Sequence, residues 1–213
     1  MEILTDKQIF DAIRERRGTG LSQLDVNAIN AIMYPTKTTA TVQEELAWGA
    51  KVSVSFRSKV RAISSRIGCE ASDLMACMAW ESGRTFSPSV KNMAGSGAVG
   101  LIQFMPTTAM TLKTSTDALA AMMAEQQLDY VEAYFKPWKG KLHTLADLYM
   151  AILWPRAVGK PLEYVLWDKH SRPTTYRQNA GLDANHDGEI TKAECSAKLY
   201  AMKAEGQRPE NVA

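Results

Sequence analysis

The sequence is short of the residues from which disulfide frameworks and zinc sites are built. Among its 213 residues are three cysteines and three histidines. An odd, small number of cysteines provides no disulfide framework, and scattered thiols with so few histidines argue against a zinc site. The cysteine number leaves the redox compartment open. Any chemistry carried by this chain is therefore expected to use other side chains.

Charge of one sign is also missing. Lysine and arginine total 25 against 23 for aspartate and glutamate, a formal net charge of +2. This near-balance lacks the electrostatic signature of a dedicated nucleic-acid-binding protein, so no nucleic-acid partner is expected. Hydrophobic residues make up 46% of the chain. That share supports a packed core and excludes a disordered chain, and the length suits one domain with a small appendage.

Long hydrophobic runs are missing as well. The longest apolar stretches, residues 74–80 and 118–124, fall far short of the roughly 18 residues that a membrane-spanning helix needs. Residues 1–6 lack the basic region and apolar run of a signal peptide. We therefore expect no membrane insertion, and synthesis in the cytoplasm without an export signal.

The pattern of apolar residues and helix caps predicts three segments. Residues 1–34 contain two short helical patterns, which predicts a small helical hairpin. Residues 35–41 have the composition of a linker, and residues 42–213 form the main domain. The hairpin is too small for a stable core of its own, so it is expected to pack on the main domain or on a partner.

The main domain is predicted to be all-α with mostly short connections. Residues 42–67 are ambiguous, because Val52, Val54 and Phe56 alternate like a strand inside a longer helical pattern. Elsewhere capping residues, amphipathic spacing and prolines mark helices more clearly. These predicted helices cover residues 73–81, capped by Ser72, then 117–136, 144–154 and 192–205.

A carboxylate at the end of an apolar helix is the first candidate for chemistry. Residues 74–80 leave no polar face, so their helix is expected to be buried all round, with Glu81 at its C-terminal end. An apolar surrounding and the negative end of the helix dipole both disfavour the anion. A carboxyl group that resists ionisation is what a general acid for glycosidic cleavage requires. Composition alone favours the simpler interpretation, a solvated glutamate beside a glycine cap.

The segments that follow Glu81 favour the catalytic interpretation. Residues 81–88 and 97–109 closely resemble the signature of the soluble lytic transglycosylase and goose-type lysozyme group. The family pattern is Glu-Ser-x-x-x-x-Phe, followed by Gly-Ala-x-Gly-Leu-Met/Ile-Gln-x-Met-Pro. The resemblance implies a lysozyme-like helical fold, Glu81 as catalytic acid/base, and Ser82 and Gln103 as substrate-binding residues. The implied substrate is the glycan strand of bacterial peptidoglycan.

Two tyrosines are weaker matches to the same family. A second family motif, Ala-Tyr-Asn-Ala-Gly, faces the cleft; here Tyr149 takes the tyrosine position, but Met150 replaces the asparagine and the glycine is missing. A tyrosine that lines the core is the alternative. Tyr176 matches a further family tyrosine near the catalytic acid. Residues 147–155 and 21–29 resemble bacteriophage members of the group.

The resemblance implies cleavage of the glycan after N-acetylmuramic acid, with two chemical outcomes. In a lysozyme, water attacks with the help of a second carboxylate; in a lytic transglycosylase, the 6-hydroxyl of the muramic acid attacks and leaves a 1,6-anhydro end. No other carboxylate stands in a context comparable to that of Glu81, which favours the second outcome. A phage enzyme of this kind reaches the wall by holin release or from a virion, and virion proteins are the partners expected for the hairpin.

Residues 183–194 fit the twelve-residue EF-hand calcium loop at every diagnostic place. Gly188 allows the sharp turn and Ile190 is expected to face the core. Pro173 and Gly181 leave little room for an entering helix, and there is no second loop, so a structural calcium ion is expected rather than a sensor. The predicted calcium ligands are Asp183, Asn185, Asp187, Glu189 through its backbone carbonyl, Thr191 and Glu194.

No cofactor is expected for catalysis by Glu81.

Two further hypotheses stay open at this point. The first is a catalytically inactive, calcium-stabilised module of a virion, or one that binds the cell wall. The intact motifs around Glu81 and Gln103 argue against it, and the missing asparagine beside Tyr149 argues for it. The second is a calcium sensor, which is weak because one loop occupies a small part of the chain.

Overall fold

Helices build most of the part of the chain that the computed structural model describes, residues 45–92 and 95–213. The predicted hairpin (1–34) and linker (35–41) lie outside it. Residues from Glu45 onward form one unit, and no described helix is long and apolar enough to cross a membrane. Its elements are α1 (Val54–Ile67), α2 (Ala71–Glu81), α3 (Pro106–Thr111), α4 (Thr116–Ala120), α5 (Ala124–Phe135), α6 (Leu145–Leu153), β1 (Val165–Asp168), α7 (Pro173–Asn179), β2 (Glu189–Thr191) and α8 (Lys192–Gly206).

The lysozyme-like helical fold class is confirmed, with one addition. Strands β1 and β2 form a small antiparallel sheet that the sequence did not predict, with Asp168 opposite Glu189. The ambiguous segment is helical: the Ser53 side chain caps α1 by accepting the Phe56 N–H at 3.0 Å. Val54 is exposed and Phe56 buried, so their alternation belongs to the first turn of a helix.

Helix α2 is the buried centre of the domain. Residues 74–79 have no exposed surface, and the helix packs against α1, α6 and α8. This confirms the prediction of a helix buried all round with Glu81 at its C-terminal end. Its start differs from the prediction, because the Ser72 hydroxyl accepts the Ala47 N–H at 3.1 Å and the N-cap position belongs to Glu70.

The prediction of one helix over residues 117–136 is wrong. The chain forms α4 and α5 with a break at residues 121–123. The side chain of the buried Gln127 donates to the Leu119 carbonyl at 2.9 Å, and the Gln126 side chain accepts the Met123 N–H at 3.0 Å. These two side chains satisfy backbone groups at the break, which stabilises an interruption that the apolar composition does not reveal.

The last helices follow the sequence more closely. Thr144 caps α6 by accepting the Asp147 N–H at 3.0 Å, and α8 covers the predicted C-terminal helix. The expectation that little room exists for a helix before the calcium loop holds in part, because only a seven-residue helix, α7, fits there. Pro173 instead occupies the first turn of α7, where its fixed φ and missing N–H cost nothing.

Candidate active site

Glu81 is the last residue of α2, and its carboxyl group is half-buried against the core. Burial raises its pKa from the usual 4.5 to about 7. No Asp or Glu of residues 45–92 and 95–213 contributes to this shift, because burial is its only cause. The side chain therefore keeps a large protonated fraction at neutral pH and can donate a proton to a leaving group.

The turn after Glu81 is held by internal hydrogen bonds. The Ser82 hydroxyl donates to the Met78 carbonyl at 2.6 Å and accepts the Phe86 N–H at 3.0 Å. Ser82 is 1% exposed and fixes the turn, and the substrate-binding role that the resemblance implied for it stays a prediction. Arg84 and Phe86 both adopt positive φ angles, which shows how tightly the chain turns here.

Hydrogen bonds from the side chain of Gln127 in α5 fix the glycine-rich segment at the start of residues 97–109. Its side-chain oxygen accepts the Leu101 N–H at 2.7 Å, and its nitrogen donates to the Pro88 carbonyl at 3.0 Å. Gly100 has a φ of 84°, and a Cβ there would collide with the Gln127 amide. Sequence reasoning missed Gln127; its only signal is a glutamine among apolar neighbours on a helix face.

Gln103 follows this turn and has a strained φ of 52°. Its side-chain nitrogen donates to the backbone carbonyls of Val90 at 3.2 Å and Gly100 at 3.1 Å. The amide oxygen is then the atom that can accept from a ligand. Gln103 lines a cavity of about 70 Å³ together with Tyr134 and Ile152.

Two tyrosines lie within electrostatic reach of Glu81. Tyr149 of α6 is 7% exposed, and burial and the charge of Glu81 raise its pKa well above the usual value. Burial, followed by the same charge, raises the pKa of Tyr134 to about 12. The Tyr134 hydroxyl donates to the Ala151 carbonyl at 2.7 Å, which ties α5 to α6. The charge of Glu81 thus acts on both tyrosines; the substrate-binding role of Tyr149 stays a prediction, and Tyr134 was not predicted from the sequence.

Tyr176 lies at the predicted calcium loop. Its hydroxyl donates to the Asp183 carboxylate at 2.6 Å. The other Asp183 oxygen is buried and has no hydrogen-bond partner among the described residues. The substrate-binding role expected for Tyr176 stays a prediction, whereas its contact in the structure is with the first predicted ligand.

The loop closes through its two end carboxylates. The Asp183 side chain accepts the Gly188 N–H at 3.0 Å, and Glu194 accepts the N–H groups of Ala184 at 3.0 Å and Thr191 at 2.9 Å. In the middle, the Asn185 side chain accepts the Asp187 N–H at 3.1 Å. Across the described residues, no three acidic, histidine or cysteine side chains converge as a metal centre. The acids here are instead bonded to backbone amides.

Residues 59–139 match the model of the family described as Transglycosylase SLT domain. This range covers less than half of the chain and contains Glu81, Gln103, Gln127 and Tyr134. Members of that family are peptidoglycan lytic transglycosylases, and residues 59–139 are similar to an enzyme domain of that class. Tyr149, Tyr176 and the calcium loop lie beyond the match. No curated protein matches the chain.

Proposed function

We propose that the protein cleaves the β-1,4 bond between N-acetylmuramic acid and N-acetylglucosamine with Glu81 as the general acid/base. The observation that carries the proposal is the Glu81 carboxyl group, whose pKa burial raises to about 7 and on which no other Asp or Glu of residues 45–92 and 95–213 acts. Hydrolysis by an inverting or retaining glycosidase needs a pair of carboxylates. A single acid favours attack by the substrate's own hydroxyl and a 1,6-anhydro product.

The proposed reaction uses Glu81 twice. The protonated carboxyl donates its proton to the glycosidic oxygen while the bond from that oxygen to C1 breaks. The resulting carboxylate then accepts the proton of the muramic acid 6-hydroxyl as its oxygen bonds to C1. Glu81 ends protonated, as it began. Gln103, with its nitrogen used by the backbone, is proposed to accept a hydrogen bond from the sugar, and Tyr149 to contact the sugar beside the acid.

The products of digestion test this choice. Purified sacculi incubated with the protein are expected to release muropeptides with 1,6-anhydro ends, identified by mass spectrometry. Reducing ends in their place would show a lysozyme. Loss of turbidity of outer-membrane-permeabilised Gram-negative cells measures the activity itself, and a protein that clears neither substrate would support the inactive-module alternative.

The pH dependence of activity follows from the raised pKa of Glu81. A general acid must be protonated in the free enzyme, so kcat/KM is expected to be level in acid and to fall about tenfold per pH unit above pH 7. The measurement is the initial rate on soluble glycan strands across pH 4 to 9 at constant ionic strength. A decline that starts near pH 4.5, the usual value for glutamate, would contradict a role for this buried carboxyl as the acid.

We also propose that residues 183–194 hold a structural calcium ion. The donors are all oxygens, as calcium prefers: the side chains of Asp183, Asn185, Asp187, Thr191 and Glu194 and the carbonyl of Glu189. The buried, unpartnered oxygen of Asp183 supports this, because such an atom is costly without a ligand. Ile190, fully buried in β2, would anchor the loop to the core.

Calcium is therefore expected to raise the melting temperature. EDTA should lower the midpoint of thermal unfolding and added calcium should restore it, and Asp183→Ala should abolish both effects. Asp117→Ala, which removes an exposed acid of α4 outside the loop, is the matched control and should leave the calcium response unchanged. A midpoint that is the same with EDTA and with micromolar free calcium would exclude a structural site.

The proposed biological role is that of a phage muralytic enzyme for host lysis or wall penetration. Its support is the resemblance of residues 147–155 and 21–29 to phage members of the group. The proposed site of action is the host cell wall, reached by holin release or from a virion, with virion proteins as partners of residues 1–34. Immunodetection of the protein in purified particles would separate a virion enzyme from one that is released at lysis.

A further inference from the structure

Tyr176 of α7 holds one oxygen of the Asp183 carboxylate. Its hydroxyl donates to that oxygen at 2.6 Å, and the Gly188 N–H donates to the same oxygen at 3.0 Å. The other oxygen is buried, in a residue that is 3% exposed, and has no hydrogen-bond partner among the described residues. A carboxylate held in this way offers a cation the one oxygen that neither donor uses.

The residue that precedes α7, Arg172, anchors this helix to the core. Its guanidinium group donates to the Leu166 carbonyl of β1 at 2.6 Å and lies over the Trp154 ring, 5.3 Å from the ring centre. The Tyr176 N–H donates to the Arg172 carbonyl at 2.9 Å, and the Tyr176 ring is half-buried against the core. Backbone and ring are therefore both held, so the hydroxyl reaches Asp183 from a fixed position.

The segment that carries Tyr176 also pairs with the later part of the predicted calcium loop. In the sheet of β1 and β2, Trp167 lies opposite Ile190 and Asp168 opposite Glu189. Residues 165–176 thus contact the loop at its first residue, through the tyrosine, and at its seventh and eighth, through β1. The sequence holds no second calcium loop that could pair with the first. This segment supports the single loop in place of such a partner.

We propose that Tyr176 is a positioning residue for the calcium ion, and that its hydrogen bond to Asp183 raises the affinity of residues 183–194 for calcium. The inference rests on the calcium site of the proposed function. Hydrogen-bond partners of a metal ligand orient that ligand, and their removal typically weakens metal binding about 10–100-fold. Without the hydroxyl, the Gly188 N–H alone would hold the carboxylate, which could then turn its free oxygen away from the loop. This role differs from the substrate contact that the resemblance implied for Tyr176.

Tyr176→Phe removes the hydroxyl and keeps the ring, so it isolates the hydrogen bond. Calcium chloride titrated calorimetrically into the EDTA-treated and dialysed protein should give a Kd about tenfold higher than that of wild type. The matched control is Tyr200→Phe, which makes the same change at an exposed tyrosine of α8 and should bind calcium like wild type.

Thermal unfolding separates positioning from packing. At a calcium concentration that saturates both proteins, a tenfold higher Kd reduces the stabilisation by calcium by about 1.4 kcal/mol. The rise in melting temperature from EDTA to calcium should therefore be smaller in Tyr176→Phe than in wild type. A tyrosine that only packs would lower both melting temperatures equally and leave that rise unchanged, which would overturn the proposal.

A second variant acts on the same hydroxyl through its anchor. Arg172→Met removes the guanidinium contacts with Leu166 and Trp154 but keeps Tyr176, and it should raise the calcium Kd by a few-fold. This variant decides the question if Tyr176→Phe does not fold.

Calcium binding by wild type separates this inference from the calcium site on which it rests. If wild type binds no calcium, the calcium site itself is wrong and the role of Tyr176 is overturned with it. If wild type binds calcium and both variants bind it equally well, the site stands and the positioning role alone is overturned.

Discussion

Glu81→Gln is expected to lower kcat on purified sacculi by about 10³-fold or more while the protein stays folded. Glutamine has the size of glutamate but has no proton to give to the glycosidic oxygen. Because no other carboxylate of the described residues acts on this position, no neighbour is expected to replace it. The measurement is the release of soluble muropeptides per mole of enzyme.

The control for this substitution lies on the same helix. Glu70 is exposed at the start of α2, at the opposite end from Glu81. Glu70→Gln makes the same chemical change there and is expected to retain activity near that of wild type. If Glu81→Gln clears sacculi at the wild-type rate, Glu81 is not the catalytic acid, whatever the activity of Glu70→Gln.

The same variant has an expected effect on stability. The folded protein holds the Glu81 proton up to about pH 7, whereas the unfolded chain releases it near pH 4.5. Between these values the folded state binds more protons, so the free energy of unfolding of wild type decreases as pH rises through this window. Above pH 7 the variant, which carries no such charge, should be more stable by on the order of 2 kcal/mol, and below pH 4.5 the two should match.

The sequence predicted α2 and the turns after it well because the signals there are local. The apolar run 74–80 required burial, and the motif around Glu81 and Gln103 specified the turns that follow. Thr144 likewise predicted the start of α6, because its side chain accepts a hydrogen bond from the backbone N–H three residues further on. In each case the deciding interaction is made within one helix or one turn.

Interactions between distant segments explain what could not be predicted. The break between α4 and α5 depends on Gln127, whose side chain also bonds the glycine-rich segment 26 residues earlier in the chain. Tyr134 of α5 is held at α6 by its hydrogen bond to the Ala151 carbonyl, 17 residues further along the chain. Strand β1 forms only because β2 pairs with it. None of these partners is visible from the spacing of residues along one element.

Lys192→Met is expected to lower the free energy of unfolding by about 3–5 kcal/mol. The Lys192 ammonium lies 2.5 Å from the Asp147 carboxylate, and both side chains are buried, at 2% and 7% exposure. It also donates to the Lys160 carbonyl at 2.8 Å. Methionine fills a similar volume but leaves the Asp147 charge buried without its ion-pair partner. Thermal unfolding should begin about 10 °C lower, as followed by circular dichroism.

The expected loss of stability is large because the surroundings of Asp147 strongly favour its ionised form. Burial alone would raise its pKa, but hydrogen bonds from Lys192, the Gly159 N–H and the Thr144 hydroxyl bring the pKa below its usual range. Without the ammonium, the carboxylate keeps the cost of burial and loses its strongest compensation. Lys198→Met, at an exposed lysine of the same helix, is the matched control and should change the melting temperature little.

Removing both charges distinguishes an unpaired charge from a loss of packing. If the cost of Lys192→Met comes from the uncompensated Asp147 carboxylate, the double variant Asp147→Leu/Lys192→Met should recover much of the lost stability, because apolar side chains of similar volume can replace a buried ion pair. A double variant that is less stable than either single variant would show that the pair contributes through its fixed geometry.

The ion pair also lies between two parts of the candidate site. Lys192 directly follows the calcium-loop residue Thr191, and Asp147 lies two residues before Tyr149 on α6. The pair therefore joins the predicted calcium loop to the helix that carries Tyr149 toward Glu81, and the kcat of the double variant would measure how much the site depends on that connection.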